Sequence, residues 1–97
     1  MIKYLKDENF LEEVSNGVVL VDFYADWCGP CRMMGEILEN VDANILKVNT
    51  DTFPKIAQDF GIMNIPTLIL FKNGDNVGKL IGLHNKEEIE EFINKAK

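Results

Sequence analysis

The spacing of apolar residues changes repeatedly along this chain, and each change predicts a new element. Ile2 to Leu5 alternate as a short strand does. Asp7 is then placed to cap a helix that turns Phe10, Leu11 and Val14 inward, and Asn16-Gly17 ends it. Val18 to Tyr24 is apolar at both parities apart from one acid, Asp22, as expected of a strand covered on both faces at the centre of an α/β sheet. After a turn at Asp26 to Pro30, the residues Met33, Met34, Ile37 and Leu38 recur at helical spacing, predicting a helix to about Asn40.

Ile45 to Val48 reads as a third strand. A helix from Phe53 to Phe60 follows, with Pro54 in its first turn, where a missing N–H costs little, and Gly61 just past its end. Thr67 to Phe71 and Val77 to Ile81 flank Asn73-Gly74, a dipeptide that accepts the positive φ values of a tight hairpin, so these two strands are expected to be antiparallel neighbours. Asn85 with Glu88 forms a variant of the capping box at the start of a last helix, whose Ile89, Phe92 and Ile93 supply an apolar stripe. The resulting order, βαβαβαββα, predicts an α/β fold: a central five-stranded mixed sheet flanked by four helices.

Length and charge narrow the function classes. At 97 residues the chain suits one domain, 1–97, and its 46% hydrophobic and 27% charged content is that of a globular protein. No apolar run is long enough to span a bilayer, and Met1 to Phe10 lacks the basic-then-apolar layout of a secretory signal, so a cytoplasmic setting is expected. A net charge of -6 gives no support to nucleic acid or an anionic membrane as a partner. The acidic run Glu87, Glu88, Glu90 and Glu91 reads as the solvated face of the last helix. A monomer is the default.

Cys28 and Cys31 are the only cysteines, too few for a disulfide-stapled scaffold. They lie within Trp27-Cys28-Gly29-Pro30-Cys31, where the central strand gives way to a helix and open α/β sheets expose reactive groups. Positions three apart at a helix start face the same side, about 5–6 Å apart, close enough to switch between dithiol and disulfide. The unpaired N–H groups of a helix N-terminus favour a thiolate, and Cys28 at the very start gains most. This order makes Cys28 the attacking nucleophile and Cys31 the resolving thiol. Gly29 removes bulk beside the nucleophile, and Pro30 holds the loop at a helical φ.

Asp22 puts a carboxylate where the central strand calls for an apolar residue. Burial should raise its pKa towards neutrality. Two roles fit: a base taking the Cys31 proton during resolution, or a structural acid paired with Lys47 on a neighbouring strand. The Ile65-Pro66 bond carries a base-rate expectation of trans. Trp27 reads as packing or as part of a docking surface, and His84 as exposed.

WCGPC after VDFYAD, followed by IPTLILFKNG, resembles the thioredoxin family, and the resemblance covers nearly the whole chain. It implies a cis Pro66 close to the sulfurs, with the Ile65 backbone pairing to a substrate strand as an added β edge. It also implies a substrate collar of Trp27, Gly29, Pro30, Ile65 and Pro66, with Gly82 and Leu83 in a last substrate-facing loop. Disulfide-containing client proteins and a thioredoxin reductase are the implied partners, and no cofactor is implied beyond the redox-active disulfide itself. Departures from the family pattern are Glu36 at the place of a helix-kinking proline, Tyr24 at that of a frequent tryptophan, and Met63-Asn64 before the cis proline.

Three other readings compete. Zinc or an iron-sulfur cluster normally takes four ligands, and two sulfurs with one distant histidine fall short within one chain. A non-catalytic scaffold would use the collar without sulfur chemistry. An oxidant or isomerase would share the motif and differ in potential.

Overall fold

The computed structural model describes residues 1–97. In chain order its elements are β1 (Ile2–Tyr4), α1 (Phe10–Glu13), β2 (Val18–Tyr24), α2 (Gly29–Leu38), β3 (Ile45–Asn49), α3 (Pro54–Asp59), β4 (Thr67–Lys72), β5 (Asp75–Ile81) and α4 (Lys86–Asn94). The sheet runs β1-β3-β2-β4-β5, so the doubly apolar strand is central, as its composition predicts. β1 and β2 pair parallel with β3; β4 is antiparallel to β2 and to β5.

The two parities of β2 serve two cores. Val19, Val21 and Phe23 join Phe10, Val14, Ala57 and Phe71 on the face covered by α1 and α3. Leu20 joins Met34, Leu38, Ile89 and Ile93 under α2 and α4. On the first face Phe10 lies 5.2 Å from Phe60 and 5.6 Å from Phe71, ring centre to ring centre, which ties both helices to the strands. Such aromatic pairs contribute roughly 0.5–1.5 kcal/mol beyond the area they bury.

The β4–β5 hairpin turns at Asn73 (φ 50°) and Gly74 (φ 88°), consecutive left-handed positions that this dipeptide tolerates. A bulge between Leu70 and Phe71 shifts the register towards the turn. At α4 the Asn85 side chain accepts from the Glu88 N–H at 2.9 Å, and Glu88 accepts from the Asn85 N–H at 3.2 Å, completing the capping box.

Some local expectations need correction. α1 is a single turn, so only Phe10 and Val14, four apart, share its inward face, and Leu11 is 72% exposed. Asn9, not Asp7, occupies the N-cap; the Asp7 carboxylate accepts from the Asn9 N–H at 3.0 Å, one step earlier. α2 stops at Leu38, short of Asn40, and its buried residues are Cys31, Met34 and Leu38, leaving Met33 exposed. β1 ends at Tyr4, although Leu5 is buried and its N–H still bonds the Lys47 carbonyl.

Candidate active site

Cys28 caps α2 with an extended backbone (φ -89°, ψ 113°), and Gly29 and Pro30 form the first turn, where a proline forfeits no helical hydrogen bond. Cys31 follows one turn in. Their Cα atoms are 5.2 Å apart, and the two sulfurs are joined in a disulfide. The Cys31 backbone N–H donates to Cys28 Sγ at 3.1 Å. No acidic residue stands in the first turn of α2 to oppose negative charge there. Once the bond is reduced, that N–H and the positive helix end favour Cys28 as thiolate. Both cysteines are buried, Cys31 more completely, at 2% against 6% exposed.

The Ile65-Pro66 bond is cis. Cys28 Sγ lies 3.9 Å from the Ile65 carbonyl oxygen, and because a disulfide sulfur has no proton to donate, this is a contact and not a hydrogen bond. Neither the N–H nor the C=O of Ile65 has a backbone partner. One residue on, the Pro66 carbonyl accepts from the Gly82 N–H at 2.8 Å, while Thr67 pairs with Ile81. Gly82 and Leu83 are thereby held beside the proline. Trp27, Met63, Ile81 and Leu83 are large apolar side chains left exposed at this end of the sheet. The Trp27 indole N–H donates to Asp51 Oδ2 at 2.9 Å. Sequence reasoning missed Asp51; its only signal was its place just after a strand parallel to β2, ending on the same side.

Asp22 shares the parity of Leu20, so its side chain faces α2, the helix that carries Cys31. It is fully buried and stands opposite Lys47 in the β2–β3 register. Lys47 Nζ lies 3.4 Å from Asp22 Oδ2, an ion pair without hydrogen-bond alignment, and neither carboxylate oxygen has another partner. Burial pushes the Asp22 pKa up to about 6, and the Lys47 ammonium limits the rise. A cleft of about 280 Å³ lined by Cys31, Gly35 and Lys47 opens behind the disulfide. The largest concavity, a groove of about 800 Å³ between α1 and α3, contains neither cysteine.

His84 is half-buried rather than simply exposed: its ring nitrogens lie 3.2 Å from Glu88 Oε2 and 2.9 Å from the Ile81 carbonyl oxygen. Glu87, Glu88 and Glu91 are exposed on α4. No helix is long and apolar enough to cross a membrane.

A Cys-x-x-Cys disulfide capping a helix at the end of a central strand, with the carbonyl that precedes a cis proline against the Cys28 sulfur, defines a thiol-disulfide oxidoreductase. The family model described as Thioredoxin matches residues 1–95. Thioredoxin of Chlamydia pneumoniae is 47% identical over 98% of both chains, and that of Listeria monocytogenes is 44% identical over the same shares. Among solved structures, a mutant thioredoxin from Halobacterium salinarum NRC-1 superposes with a TM-score of 0.88 at 35% identity, covering 98% of this chain and 89% of that one. The chain belongs to the thioredoxin family, and its reaction is protein thiol-disulfide exchange.

Proposed function

We propose that Cys28 and Cys31 reduce disulfides of client proteins in two steps. The Cys28 thiolate attacks one client sulfur, forming a Cys28–client mixed disulfide and releasing the other client sulfur as a thiolate, which takes up a proton. Cys31 then loses its proton to Asp22 and attacks Cys28 Sγ; the Cys28–Cys31 bond forms as the second client thiolate leaves. Two electrons pass from the dithiol to the client. A thioredoxin reductase returns two electrons and two protons to the pair.

The observation that carries this order is the 3.1 Å hydrogen bond from the Cys31 N–H to Cys28 Sγ at the helix N-terminus, which stabilises charge on Cys28 and not on Cys31. A raised Asp22 pKa of about 6 leaves it mainly a carboxylate at neutral pH, yet a stronger base than an exposed aspartate. Lys47 keeps that buried charge tolerable. The unpaired Ile65 N–H and C=O are free to bond an extended client segment, and Trp27, Gly29, Pro30, Gly82 and Leu83 form the surface on which it lies, with the buried Pro66 beneath it holding the Ile65 backbone in place. We further propose that the chain works in the cytoplasm as a monomer, with residues 1–97 as one domain and no metal or further cofactor taking part.

Trapping tests the order. Cys31→Ser incubated with a disulfide-bonded protein should accumulate a covalent mixed disulfide through Cys28, and Cys28→Ser should not. Accumulation in Cys28→Ser instead would reverse the two roles.

A further inference from the structure

Lys47 occupies an unusual site. Tyr4, Lys47 and Asp22 form one row across three strands, Tyr4 opposite Lys47 in the β1–β3 pairing and Lys47 opposite Asp22 in the β3–β2 pairing. Tyr24, two residues after Asp22 on the same strand, stands at the end of that face. Lys47 Nζ lies over the Tyr24 ring at 4.6 Å from its centre and over the Tyr4 ring at 5.7 Å, with the rings edge to face, 6.3 Å apart. From α2, Gly35 leaves the last side open: a Cβ there would stand 3.3 Å from Nζ.

The Lys47 side chain is only 9% exposed, and its contact with Asp22 is not aligned as a hydrogen bond. Ring faces attract a cation through their quadrupole, most strongly where water is excluded. Other carboxylates share the cleft. Asp26 from the turn, Glu36 from α2 and Glu39 just past its end are exposed carboxylates lining the same cleft, alongside Arg32 and Cys31. From β4, the residue opposite Asp22 is the uncharged Leu68.

We propose that Tyr4 and Tyr24 form a two-ring cradle that holds the Lys47 ammonium on Asp22 and keeps it from the carboxylates at the cleft rim, making both tyrosines positioning residues for the proton acceptor. Its consequence for catalysis rests on Asp22 accepting the Cys31 proton. Without the cradle the ammonium swings outward, and the buried carboxylate loses the charge that favours its ionised form.

The test follows the Asp22 carboxyl carbon by NMR through a pH titration of the oxidised protein. Tyr4→Leu should raise the Asp22 midpoint by roughly half a pH unit, the size expected from one cation–ring contact. Tyr4→Phe, which keeps the ring face, should leave it in place. In a Lys47→Met background, Tyr4→Leu should no longer move the midpoint. An unchanged or lowered midpoint in Tyr4→Leu overturns the cradle, as does an equal rise without Lys47, which would make the ring a water shield. The pH profile of disulfide reduction separates the underlying reading: if the carboxyl midpoint moves and the rate profile does not, the cradle stands and the proton-acceptor role of Asp22 falls.

Discussion

Asp22 and Lys47 face each other across the β2–β3 pairing, 3.4 Å apart, on the side of the sheet that α2 and Cys31 cover. A carboxylate placed there costs stability, and the cost has a definite pH dependence. The folded-state pKa of about 6 lies above the ordinary 3.8, so the folded form binds the Asp22 proton more tightly than the unfolded one. Asp22 is therefore least costly below about pH 3.8, and stability is lost as pH rises through about 6.

Asp22→Asn should accordingly stabilise the protein at pH 7.5 by up to about 3 kcal/mol, less whatever Lys47 loses as a partner. The gain should shrink towards zero near pH 3.5. Denaturant unfolding of both proteins at the two pH values checks this, and a gain equal at both would show that ionisation is not the cause. The same variant should slow mixed-disulfide resolution at neutral pH while leaving the first attack intact.

Gly78 is where α4 meets the β5 strand. A Cβ at this position would come within 2.9 Å of Phe92 Cε1 and 3.3 Å of its Cζ, so the ring must move. Gly78→Ala should cost about 1–3 kcal/mol by overpacking, and adding Phe92→Leu should recover part of it. Thermal unfolding of the single and double variants reads this directly. Additive losses would mean that the two positions do not meet.

Asn85 holds the start of α4 through its reciprocal bonds with Glu88. Asn85→Ala should cost about 1 kcal/mol and Asn85→Ser much less, because serine also accepts from the helix N–H. Equal losses in the two would assign the effect to something other than the cap.

Much of this architecture is legible in the residues, for identifiable reasons. Val18 to Tyr24 shows its central position because both parities are apolar, and Asn73-Gly74 shows its hairpin because two left-handed positions in succession suit few other residues. The placement of Cys28 at a helix start follows from a strand running into a proline-containing turn. Other features depend on contacts between distant segments. Leu11 points outward because its helix is one turn long, which apolar spacing does not reveal. The bond between Trp27 and Asp51, and the two rings around Lys47, require the strands to be assembled first. The cis bond before Pro66 came only through the family resemblance, since local preference alone points to trans.

The central claim is that Cys28 and Cys31 cycle as one two-electron couple. Its most direct test equilibrates the protein against graded ratios of reduced and oxidised dithiol, following the fluorescence of Trp27, which adjoins Cys28 in the sequence. The account predicts a single reversible transition at a potential below the glutathione poise, absent in Cys31→Ser. No reversible transition, or one that persists in Cys31→Ser, would contradict it.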